Sequence, residues 1–258
     1  VCEMDFNEAV TAERSLLTGK RVRPALIAPR PAPASSVELP DEFHWIGTMN
    51  YQSSALWYLK RRGVDLTTAQ ELGIGSCITG LYRYRVIIPV YTQGELRTFV
   101  ARTWLEEEKK KVLMPPGSQA ERALFGYDYV ASLPKHSTIY LVEGVFDVLR
   151  MWQWGFRWTL ATLGAHMTPL QQALVKRLAP ANVVLLRDGD KAGREAAIKE
   201  GRQLAYDMIP VSIAHLPDDT DPGSASAEEI REALDNAKPV EVDYGIESQM
   251  EVHSERHI

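Results

Sequence analysis

Apolar and polar positions fall into two textures along this chain. From Thr138 onward, short apolar runs alternate with amphipathic stretches at helical spacing. The runs "TIYLVEG" (138–144), "RWTLATLG" (157–164), "NVVLLRD" (182–188) and "PVSIAHLP" (210–217) predict strands. The stretches "VFDVLRMWQWG" (145–155), "TPLQQALVKRLA" (168–179), "KAGREAAIKEGRQLAY" (191–206) and "SAEEIREALDNA" (226–237) predict helices. Strand and helix in strict alternation, with short connections, predict a parallel sheet sandwiched by helices. In such sheets, functional groups collect where the C-terminal ends of the strands open.

The chain before Thr138 reads differently. "SSALWYLKRRGVDLTTAQELGIG" (53–75) predicts a helix through Leu56 and Leu59 that stops at Gly63. A second short helix should follow, capped near Thr67 and ended by Gly73. "LYRYRVIIPVY" and "ELRTFVART", joined by "TQG", predict a β-hairpin with a glycine turn. The stretch 105–130 reads as a charged connector and a Pro-Gly loop leading back to apolar chain. Upstream, "PALIAPRPAPASSVELP" (24–40) carries five prolines and reads as an extended linker. Residues 1–20 suit one amphipathic helix ended by Gly19, and the tail after Val240 is polar. The expected organisation is an N-terminal segment and linker over 1–40, a basic subdomain over 41–135, an α/β domain over 136–240 and a flexible tail over 241–258.

Charge sharpens this division. The net charge is −5, which argues against a simple polybasic nucleic-acid binder. Yet residues 51–135 hold 12 Lys and Arg against 8 Asp and Glu, whereas residues 136–258 hold 12 against 19. A basic middle and an acidic C-terminal half suit an anionic partner on one part and cations on the other. The two cysteines, Cys2 and Cys77, have no paired spacing, so neither a disulfide framework nor a zinc site is expected in this chain. No apolar stretch approaches a membrane span and no signal-peptide pattern opens the chain, so a cytoplasmic setting without membrane contact is expected. Val1 in place of Met suggests a piece of a longer polypeptide.

The acids carry the chemistry. Glu143 ends the first strand of the α/β region and Asp147 lies one turn into the next helix. Asp188 and Asp190 end the third strand; Asp218, Asp219 and Asp221 follow the fourth in "LPDDTDP". A parallel sheet brings these strand ends to one rim, where like charges raise each other's pKa unless a cation neutralises them. Carboxylate oxygens without His or Cys favour Mg²⁺ or Mn²⁺ over zinc. The plain alternative for "DGD" is a turn with Asp190 capping the next helix. For Asp218 to Asp221 an ordinary loop competes evenly with a metal role. Trp152, Trp154 and Trp158 read as core packing rather than base stacking. His166 reads as a loop residue, and Lys109 and Lys110 as a solvated surface run.

"EGVFD", then "LG", then "DGDKAG" resembles the Toprim domain shared by bacterial-type primases, type IA and II topoisomerases and some nucleases. The preceding "YLKRRGV", "ELGIG", "YRYRVIIPV", "GELRTFVAR", "KVLMPPG" and "ALFGYD" are similar, in the same order, to the RNA polymerase core of DnaG-type primases. The resemblance spans about residues 50–240. It implies a Toprim-like parallel sheet flanked by helices, preceded by a smaller α+β subdomain. It implies RNA primer synthesis: metal-dependent nucleotidyl transfer from ribonucleoside triphosphates on a single-stranded DNA template. Carried over residue by residue, Glu143 is a metal ligand or general base, Asp188 and Asp190 are metal ligands, and Asp147 and Asp218 are accessory acids. Two or more Mg²⁺ or Mn²⁺ ions would be held there. Arg85, Arg102, Lys111 and Lys191 would contact template or triphosphate.

Departures from the pattern are plain. The zinc-binding domain of the group is absent from this chain, Ala165 and His166 follow "LG" where Thr is common, and Arg122 is the nearest basic residue ahead of "LFG". A replicative helicase and a separate zinc-binding domain are the implied partners, and a phage or mobile-element origin fits so pared-down a chain. The competing functions are a Toprim nuclease or nicking enzyme and a non-catalytic nucleic-acid-binding module.

Overall fold

The computed structural model describes residues 37–48, 53–134 and 138–241. The helix expected over 1–20, most of the proline-rich segment and the tail from 242 lie outside these residues. Residues 37–40, the end of that segment, have no regular secondary structure. They are nevertheless packed: Val37 is buried against Cys77, Ile87 and Phe99.

The first half begins with β1 (His44–Trp45), a 3₁₀ turn and two short helices, α1 (Ser54–Arg61) and α2 (Leu66–Glu71). Ser53 caps α1 by accepting from the Leu56 N–H. The cap of α2 is Asp65, which accepts from Thr68 N at 2.6 Å, and not Thr67. Asp65 precedes Leu66, the first apolar helical position, so the helix begins earlier than expected and Thr67 falls inside it. Then come β2 (Gly75–Cys77), β3 (Arg85–Thr92), β4 (Glu95–Thr103) and β5 (Val112–Leu113), forming an antiparallel sheet in the order β1-β2-β3-β4-β5. The β3–β4 hairpin turns through Gln93 and Gly94, both at positive φ. Their N–H groups donate to the Asp128 carboxylate at 2.6 and 2.8 Å, which fastens the turn to α3 (Tyr127–Ser132).

The second half is the expected alternation. It runs β6 (Thr138–Val142), α4 (Val145–Gln153), β7 (Thr159–Ala161), α5 (Pro169–Leu178), β8 (Asn182–Leu186), α6 (Lys191–Tyr206), β9 (Val211–Ala214), α7 (Ala227–Asp235) and β10 (Lys238–Pro239). The sheet order is β10-β9-β8-β6-β7. All pairings are parallel except β10, which runs antiparallel along β9. At the other margin, Phe125 and Ala161 exchange both backbone hydrogen bonds at 3.0 Å, an isolated antiparallel bridge on the outer side of β7.

The hairpin pleat assigns its two faces. Val86, Ile88, Val90 and Val100 enter one large core, while Ile87, Phe99 and Ala101 enter a smaller one behind. The large core also contains Val142, Val145, Phe146, Leu186, Ala214 and Leu216, the residues that flank the acidic strand ends. One face of the antiparallel sheet and the acid-bearing rim therefore share one apolar interior. Trp152 is buried in it, and Trp154 packs against it. Among the described residues, no helix is long and apolar enough to cross a membrane.

Candidate functional site

Three adjacent strands, β6, β8 and β9, end in the acid-bearing loops. The turn after β6 places Asp147 in the first turn of α4, where its Oδ2 accepts from the Gly144 N–H at 2.7 Å. Asp147 is buried, and burial pushes its pKa up to about 7. The Gly144 hydrogen bond opposes that rise, and the negative charges of Asp221, Asp188 and Glu143 add to it. Asp188 follows β8 and is raised to about 6, by burial first and then by Glu143, Asp221 and Asp190. The neighbouring Arg187 works against that rise.

Two glycines let these loops close. A Cβ at Gly223 would stand 2.8 Å from Asp147 Oδ1 and 3.0 Å from Asp221 Oδ1, so both oxygens converge on bare backbone there. At Gly189 a Cβ would overlap the Pro217 carbonyl, and the Gly189 N–H donates to Thr220 O at 2.8 Å. Only glycine permits the β8 and β9 loops to touch this closely.

The acids divide by what they touch. At the centre, Asp147 and Asp188 both feel the negative charges of Glu143 and Asp221. Asp190 caps α6, its Oδ1 accepting from Gly193 N at 2.7 Å, and it adds its charge to Asp188. The capping alternative and the electrostatic one therefore hold together. Asp218 is turned outward, 82% exposed, and pairs with Arg194 at 2.9 Å. Asp221 takes the inner place; its Oδ1 accepts from Ser224 N at 2.9 Å. Sequence spacing alone could not separate Asp218 from Asp221, since both lie in one acidic loop.

The donor set suits a hard divalent cation: every group offers oxygen, and the raised pKa values mark carboxylates whose charge is poorly compensated. Among the described residues, no three His, Cys, Asp or Glu side chains form a ready-made metal cage. The fit rests on chemistry and shared position, and bound metal would have to draw the ligands in.

The basic residues differ as sharply. Arg85 is buried and its guanidinium donates to the carbonyls of Ala101, Lys110 and Lys111 at 3.3, 2.9 and 3.2 Å. It clamps β3 to β4 and to the strand entering β5. Lys111 folds back so that Nζ donates to the carbonyls of Leu105 and Glu106. Lys191 is exposed and lies 3.9 Å from Glu195. Arg102 stands opposite Val86, on the sheet face that shares its core with the acidic rim, and its buried Nε has no hydrogen-bond partner.

One feature was hidden from sequence reasoning. Arg187, immediately before Asp188, is buried and donates twice to Glu200 Oε2, at 3.0 and 2.6 Å. It also donates to Thr162 Oγ1 at 3.1 Å, while Glu200 Oε1 accepts from Met167 N at 2.7 Å. This network ties the end of β8 to α6 and to the loop after β7. Its only signal in the sequence is an Arg closing an apolar strand.

Residues 140–226 match the Toprim-like family. Across a wider span, the chain is similar to DnaG-type primases. It is 32% identical over 190 residues to a DNA primase of Halalkalibacterium halodurans, covering 69% of this chain and 30% of that protein. The chain spans about 30% of the length of the curated primases it matches. The zinc-binding and RNA polymerase domains of the Aquifex aeolicus primase superpose with a TM-score of 0.64 at 25% identity, covering 74% of this chain and 57% of that one. A DnaG primase catalytic domain bound to single-stranded DNA shares the fold with a TM-score of 0.61 at 24% identity, over 71% of each chain.

Proposed function

We propose that this chain is the catalytic core of a primase, joining ribonucleotides on a single-stranded DNA template. The observation that carries the reading is the placement of Glu143, Asp147, Asp188 and Asp221 at or just beyond adjacent parallel strand ends, where the charges of Glu143 and Asp221 add to the raised pKa values of Asp147 and Asp188. A binding module has no use for carboxylates so disposed; a nucleotidyl-transfer site does. The similarity to DNA primases covers both the acidic domain and the basic prefix, which favours this reading over a Toprim nuclease.

Glu143, Asp188 and Asp190 would hold Mg²⁺ or Mn²⁺, with Asp147 and Asp221 supporting the inner side and Asp218 further out. Divalent metal there supplies charge neutralisation for the triphosphate and lines up attacking and leaving oxygens. Glu143, partly exposed at the rim, would serve as ligand or as base toward the primer hydroxyl. Arg102, on the face shared with the rim, would meet template or triphosphate, with Lys191 reaching in from the start of α6. Arg85 contributes by holding the sheet that carries Arg102. A zinc-binding domain and a replicative helicase would be its partners, in a cytoplasmic setting.

Incubation with a single-stranded DNA template, ribonucleoside triphosphates and Mg²⁺ or Mn²⁺ tests this. Short RNA products are expected. Shortened DNA would transfer the site to the nuclease class, and binding without turnover would reduce it to a recognition module.

A further inference from the structure

Helix α1 presents an exposed aromatic ring, Trp57, and ends in three cations, Lys60, Arg61 and Arg62. Trp57 is 64% exposed, although a lone indole on a water-facing helix gains little from being there. Arg61, one turn on, lies 5.2 Å from its ring centroid and is held by Glu106 at 2.9 Å from the loop after β4. The opposite side of the same helix end reaches the rim. The Arg62 guanidinium lies 4.9 Å from the ring of Phe146, the residue before Asp147, and Tyr58 meets that ring edge-on. Lys60, at the same helix end, is exposed. The helix thus carries a flat, solvent-facing π surface with positive charge above it, while its other side packs on Phe146 next to Asp147.

Lys60, Arg61 and Arg62 also complement the C-terminal dipole of α1, and that alone would explain the charges. It does not explain an exposed indole held under a guanidinium. An exposed tryptophan ring with arginines around it matches the way unpaired bases are held without sequence readout: rings take the bases and cations take the phosphates. We infer that Trp57 is a base-stacking platform for the single-stranded DNA template, with Arg61 and Arg62 contacting the flanking phosphates. The inference rests on the template reading above and adds the residue that grips the strand.

The test measures fluorescence anisotropy of a labelled oligo-dT strand with the parent protein, Trp57→Ala and Trp57→Phe across a salt series. Thermal melting checks that each variant is folded. Trp57→Ala should weaken binding roughly tenfold or more, and Trp57→Phe should recover most of the loss. The salt slope should stay that of the parent, because stacking releases no counterions. An oligonucleotide with abasic positions should bind parent and Trp57→Ala alike. Equal oligo-dT binding by parent and Trp57→Ala would overturn the platform alone, leaving the ring as a face for a protein partner. A Trp57→Phe variant as weak as Trp57→Ala would do the same. Parent protein with no affinity for single strands even at low salt would remove the template reading itself.

Discussion

At the scale of single residues, two acids of the site, Asp147 and Asp188, hold their protons more tightly in the folded chain than a free carboxylate does. Asp147 and Asp188 sit at about 7 and about 6, against roughly 4 in an unfolded chain. The folded state therefore binds more protons than the unfolded one between those values. The contribution of these two groups to stability is fully present below about pH 4 and is lost as pH rises through 6 to 7. In chelator, the melting temperature should fall from pH 5 to pH 7.5, and Mg²⁺ or Mn²⁺ should raise it more at pH 7.5 than at pH 5. Differential scanning fluorimetry at the two pH values decides this; equal metal shifts at both would detach the carboxylates from metal binding. Replacing Asp188 with Asn should abolish primer synthesis while leaving the metal-free melting temperature unchanged or higher, because repulsion is relieved. A variant that melts well below its parent in chelator would make Asp188 a structural residue.

At the scale of elements, the long periodic stretches were legible and the short ones were not. The four parallel strands and four helices beyond Thr138 follow from alternation alone, because each must bury one face and their spacing records it. The hairpin followed from two apolar runs around "TQG". Two-residue strands such as β1, β5 and β10 carry no period to read, and α3 lies where the reading has only apolar chain after the Pro-Gly loop, with no element assigned. At the site, Glu143 and Asp188 could be placed by their position at strand ends, and Asp147 by its position one turn into the next helix. The inward turn of Asp221 and the burial of Arg85 depend on backbone carbonyls and neighbours that no spacing encodes. The Arg187–Glu200 pair is the clearest case, since its partners lie on different elements. Both side chains are buried, so removing one partner leaves an uncompensated charge. Arg187→Met should cost about 3–5 kcal/mol in urea unfolding, and Arg187→Met with Glu200→Leu should recover much of that. A double variant no better than the single would mean that the hydrogen bonds to Thr162 and Met167, rather than the charge, hold the loop.

At the scale of the molecule, charge is segregated along the chain, and the two halves meet through a common interior. The antiparallel sheet lends its Val86–Val100 face to the same core that supports the acidic strand ends. Arg102 stands at the end of that face, paired with Val86. Arg102→Ala should weaken single-strand binding across all sequences alike and lower the salt slope by about one. An unchanged slope in a salt titration would remove Arg102 from the phosphate path.

The margins of the parallel sheet have a consequence of their own. On one side β10 ends in Pro239, which has no N–H to offer a neighbour; on the other, Phe125 already engages Ala161. Among the described residues, strand addition is hindered at both margins of this sheet. Copies that collide at high concentration find no ladder there to extend, so its colloidal behaviour is expected to follow surface charge and ionic strength rather than backbone pairing.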